Sequence, residues 1–107
     1  MQTKDDKLHL ITKALKREFK PLRLFLYGSR VTGTAGEGSD YDFVMVLQEF
    51  DSKNRLSLQF DIANRYRKTF GEVVQVWAYS AEEFAFRKDD FSSIPEVAVN
   101  TGREIEL

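Results

Sequence analysis

The chain has 107 residues, 42% of them hydrophobic and 31% charged, a length and balance that predict one globular domain with a real core. A formal net charge of −1 excludes a global field drawing the protein onto nucleic acid or acidic lipid, so a polyanion must be held by a local site. No apolar run approaches the roughly 20 residues that span a bilayer, the N-terminus is too polar for a signal peptide, and cysteine is absent, which together predict a cytoplasmic protein with no thiolate chemistry.

Residues 4–19 place Leu8, Ile11, Ala14 or Leu15 and Phe19 at helical spacing, and Pro21 ends that helix. His9, the only histidine, lies there with no ligand-type neighbours and receives no role. Leu22–Tyr27 reads as a short strand buried on both faces, closed by Gly28. Gly28 allows backbone to approach a phosphate closely, and Ser29 adds a hydroxyl donor. Arg30, Val31 and Thr32 could open a helical turn whose free N–H groups face an anion. Alone, Gly-Ser is ordinary turn punctuation. Gly33, Gly36 and Gly38 mark a flexible connection.

From Asp40 to Leu47 the pattern predicts a strand, with Asp40, Asp42, Val44 and Val46 on one face and Tyr41, Phe43, Met45 and Leu47 on the other. Two carboxylates at the start of one strand face repel each other and disfavour the strand unless a cation neutralises them. Mg²⁺ suits this role, because it takes carboxylate and phosphate oxygens together. A structural alternative has the pair capping the loop.

Asp51 or Ser52 is a candidate cap for a helix over about 54–70, whose apolar face is expected to carry Leu56, Phe60, Ile62, Ala63, Tyr66 and Phe70. Arg55, Gln59, Asn64, Arg67 and Lys68 are left for solvent or a ligand, Gly71 stops the helix, and Arg65, Arg67 and Lys68 read as a solvated surface. Val73–Tyr79 is the next strand, with Val73, Gln75, Trp77 and Tyr79 on one face. Ser80 caps the helix that follows and Glu83 takes the capping-box position. After a charged loop at Lys88–Asp90, Pro95 opens a last helix through about Thr101, Gly102 ends it, and Glu104–Leu107 can form a final strand.

Gly28-Ser29, ten residues, then Asp40-Tyr41-Asp42 between two hydrophobic strands resembles the signature of the minimal nucleotidyltransferases, small members of the DNA polymerase β-like superfamily. Ser80-Ala81-Glu82-Glu83-Phe84 and the ending Thr101–Leu107 resemble the layout of that family too, so the likeness covers nearly the whole chain. The resemblance implies an α+β nucleotidyltransferase fold, a mixed sheet of about four strands flanked by helices. It implies ATP or another nucleoside triphosphate as substrate, phosphates at Gly28, Ser29 and Arg30, and Mg²⁺ on Asp40 and Asp42 as the catalytic pair. A nucleoside monophosphate would pass to an acceptor and pyrophosphate would leave.

The third carboxylate of the family falls at Gln75, and an amide is a poorer magnesium ligand that cannot act as a base. Glu72, three residues earlier, should point the other way. The resemblance also implies a separate helical partner, HEPN-like or a substrate-binding subunit, as in a toxin–antitoxin module, with a protein side chain as one form of acceptor. Two other readings use the same residues: a nucleotide-binding or regulatory subunit that has lost turnover, marked by Gln75, and an interaction domain whose Asp pair is structural.

Overall fold

The structure, a computed structural model, describes residues 4–28, 31 and 40–107. Helix α1 (Lys4–Phe19) leads to β1 (Arg23–Tyr27), and β2 (Tyr41–Leu47) follows. A 3₁₀ turn (Ser52–Asn54) opens α2 (Arg55–Phe70), which returns the chain to β3 (Val74–Ser80). Short helices α3 (Ala81–Arg87) and α4 (Ile94–Thr101) precede β4 (Arg103–Glu104). The strands form one sheet in the order β3-β2-β1-β4. β1 runs antiparallel to β2 and β4, whereas β2 and β3 are parallel, with α2 as their crossover. The fold is the mixed, helix-flanked α+β arrangement expected from the sequence.

Strand alternation sends side chains into two cores. Leu24, Leu26, Tyr41, Phe43, Met45, Val74, Val76 and Ala78 pack against Ile11 and Leu15 of α1 and Ile62 and Tyr66 of α2. On the other face Phe25, Val44, Val46 and Tyr79 meet Phe84 of α3 and Ala98 of α4. Phe43 is wholly buried on the central strand β2, and a side chain of that size contributes about 1.5–3 kcal/mol by burial alone.

Several boundaries differ from the sequence reading. Leu22 stays outside β1 and is 49% exposed, so the two-sided burial is confined to Leu24, Phe25 and Leu26. Val73 precedes β3, its carbonyl accepting the N–H of Tyr41. β4 is two residues long and starts at Arg103, although Ile105 N–H still donates to the Leu24 carbonyl. Asp51 caps the 3₁₀ turn through Lys53 N–H rather than α2 itself.

The largest correction is the rotation of α2. Leu56 and Phe60 were expected in the core but are 58% and 62% exposed, while Leu58, Ile62, Tyr66 and Phe70 face inward. Arg55 and Gln59 turn toward β3 instead, because each finds a polar partner there: Arg55 Nε donates to the Ala78 carbonyl and Gln59 to Gln75. Hydrophobic periodicity assigns polar side chains to solvent and cannot see such partners.

Candidate functional site

Gly28 ends β1 with φ +81°, a left-handed turn suited to a residue without a Cβ. Its carbonyl accepts the Val31 N–H at 3.0 Å. A Cβ added at Gly28 would stand 2.9 Å from Oδ2 of Asp42, so the glycine leaves room for that carboxylate. Ser29 and Arg30, assigned to the same phosphate turn, lie outside the described residues.

Asp42 sits on β2 in register with Tyr27 on one side and Gln75 on the other. Asp40 is one residue outside the strand, which begins at Tyr41. The Nε2 of Gln75 donates to Oδ2 of Asp40 at 2.7 Å, so the two aspartates and Gln75 converge at one end of the β2–β3 pair. Burial, and then the charge of Asp40, hold the Asp42 carboxyl above the usual carboxylate range. Tyr27 stays a phenol well beyond its ordinary range for related reasons: burial first, then the charges of Asp42 and Tyr79.

This donor set suits a hard cation. Two carboxylates supply oxygen ligands, a positive charge would relieve the like-charge cost at Asp42, and the bare face of Gly28 keeps the approach open. The described residues contain no cluster of three or more acidic or histidine side chains that could hold a metal unaided.

Gln75, on β3, stands at the position where the resemblance to the minimal nucleotidyltransferases implies a third carboxylate, and Glu72 is half-buried before the strand begins. The residue that sequence reasoning left for solvent or a ligand and the structure brings to Gln75 is Gln59, whose Nε2 donates to Oε1 of Gln75 at 3.4 Å. Its spacing of four from Arg55, which also reaches β3, is the one sequence signal that could have placed it. Around the site the helix ends are structural. Ser80 caps α3 by accepting from Glu83 N–H at 3.1 Å, but the Glu83 carboxylate binds Arg55 and Arg87 instead of completing a capping box. Arg65 is occupied by Glu18 and Asp61, as a solvated surface cluster would be. His9 is exposed.

With a glycine turn, an aspartate pair and a mixed sheet in place, the sequence comparison decides the family: residues 8–98 match the nucleotidyltransferase domain. The chain belongs to the nucleotidyltransferase domain family. No curated protein and no solved structure matches it. The general activity of this nucleotidyltransferase domain is transfer of a nucleoside monophosphate. Among its described residues no helix is long and apolar enough to cross a membrane.

Proposed function

We propose that this nucleotidyltransferase domain is of the minimal kind and transfers a nucleoside monophosphate from ATP or another triphosphate, with Mg²⁺ held by Asp40 and Asp42. The observation that carries this reading is Asp42 itself: a half-buried carboxylate placed against Gly28 and beside Asp40, where its negative charge is disfavoured. A bound Mg²⁺ would neutralise charge on the triphosphate and on the oxygens that attack and leave the α-phosphorus. Gly28, with Ser29 and Arg30 after it, would receive the phosphates. The acceptor oxygen would bond to the α-phosphorus and give up its proton to solvent, the bond to the bridging oxygen would break, and pyrophosphate would carry away the electron pair.

A second reading is favoured by Gln75, which donates to Asp40 and has no basic group to take the acceptor's proton. On that reading the domain binds Mg-triphosphate and regulates, with turnover weak or lost. We further propose a cytoplasmic protein working with a separate helical chain, HEPN-like or substrate-binding, as in a toxin–antitoxin pair. Support comes from Leu56 and Phe60, one turn apart on α2 and left 58% and 62% exposed.

Thermal shift with each of the four nucleoside triphosphates, with and without Mg²⁺, tests the reading, followed by pyrophosphate measurement in the same samples. A magnesium-dependent rise with pyrophosphate release supports transfer, and a rise without release supports the regulatory reading. The absence of any magnesium-dependent rise would overturn both.

A further inference from the structure

An ionised carboxylate only accepts hydrogen bonds, and this fixes the direction of a chain of three side chains at the site. Asp40 Oδ2 accepts from Gln75 Nε2 at 2.7 Å, so the nitrogen of the Gln75 amide faces the carboxylate. The carbonyl oxygen of that amide is turned toward α2, where Gln59 Nε2 donates to it at 3.4 Å. Oxygen is the atom through which an amide binds a hard cation, and here it is engaged by another donor. All three side chains are half-buried, and α2 is fixed against β3 one turn before Gln59 by the bond from Arg55 to the Ala78 carbonyl.

Asp40 needs such support. It stands outside β2, beyond the ladder that fixes Asp42 between two neighbouring strands. We propose, on the basis of the metal-binding reading above, that Gln75 is a positioning residue and not a ligand: Gln59 sets the orientation of its amide, and the amide holds the Asp40 carboxylate in place beside Asp42 for the cation. Gln75 is then a clamp in the position of a lost ligand, and Gln59 is the part of the site that keeps the clamp facing the right way.

The test is a double-mutant cycle read by Mn²⁺ affinity, using Mn²⁺ alone and following water-proton relaxation. Gln59→Met and Gln75→Met are both neutral and of similar length, so neither adds charge near the ion. Each is expected to weaken Mn²⁺ binding about 10-fold, as loss of an outer-shell partner commonly does. The double variant is expected to be no weaker than Gln75→Met alone, because Gln59 acts only through Gln75. Melting of the metal-free proteins, run in parallel, should show the fold retained in all three. Wild-type affinity in Gln59→Met, or losses that multiply in the double variant, would overturn the relay. Asp42→Asn separates this failure from a deeper one. If it abolishes Mn²⁺ binding while Gln59→Met binds normally, the relay alone is wrong; if the wild type takes no Mn²⁺, the relay and the metal-binding reading fall together.

Discussion

Arg55 of α2 is ion-paired with Glu83 of α3, and both side chains are only 18% exposed. The same guanidinium lies 4.1 Å from the centre of the Tyr79 ring and donates at 2.8 Å to the Ala78 carbonyl, so one side chain ties two helices to the end of β3.

Replacing that side chain should therefore cost more than a surface ion pair. Arg55→Met is expected to lose about 2 kcal/mol, less than a fully buried pair because Glu83 keeps its bond to Arg87. In a domain of this size that is a fall of about 10 °C in Tm, readable by thermal melting. A change within about 2 °C would mean that the pair contributes no more than an exposed one.

Three glycines give a graded comparison. Gly71→Ala meets open space and suffers only the left-handed backbone at φ +74°, a cost of about 1 kcal/mol. Gly28→Ala adds to a similar backbone strain a contact at 2.9 Å with Asp42. Gly102→Ala has no such φ, but its Cβ would stand 2.5 Å from the Ala98 carbonyl oxygen and 2.7 Å from that of Leu26, both backbone. Urea melts should rank the losses Gly102→Ala, Gly28→Ala, Gly71→Ala from largest to smallest. The reverse order would contradict this packing.

Asp42→Asn should stabilise the protein in the absence of divalent cations, since it removes a half-buried negative charge next to Asp40 while keeping the shape. Even about 0.5 kcal/mol reads as ~2–4 °C in Tm here. On the proposed metal-binding reading, Mg-triphosphate should raise the Tm of the wild type and not that of this variant. Equal or lower Tm without cations would show that Asp42 is not held at a cost.

What the sequence made legible was the part governed by local rules. Alternation divided β2 and β3 correctly into two faces, and Gly71 ended α2. The rotation of α2 was hidden because Arg55 and Gln59 satisfy their polar ends on β3, whereas Leu56 and Phe60 remain outside. Likewise the capping of α3 was readable, but the destination of the Glu83 carboxylate depended on an arginine 28 positions earlier in the chain. The bond from Gln75 to Asp40 follows from a strand pairing that sequence spacing does not give.

Alkaline pH should destabilise the protein partly through Tyr66. Burial, then the hydrogen bond to Glu18 and its charge, raise this phenol above the ordinary range, against the smaller opposing effects of Arg65 and Arg17. Below about pH 10 the phenol is protonated in both states and contributes no slope. Above it the unfolded chain ionises first and binds fewer protons than the native one, so stability falls as pH rises. Urea melts from pH 8 to 11 should show a shallower decline in Tyr66→Phe, along with a loss of about 1 kcal/mol at neutral pH from the missing hydrogen bond. The decline should not vanish, because Tyr79 is raised as well, chiefly by burial. Identical slopes in the two proteins would exclude Tyr66 as a cause.

The parallel pairing of β2 with β3 also sets when the site comes into being during synthesis. Parallel strands need a crossover, and here it is the whole of α2, so Asp42 leaves the ribosome long before Gln75 can lie beside it. A nascent chain that has reached Leu47 holds both aspartates but neither Gln59 nor Gln75, and nothing yet orders Asp40 from the β3 side. The contact that holds Asp40 from the β3 side is thus completed late in synthesis, once α2 and β3 have both emerged.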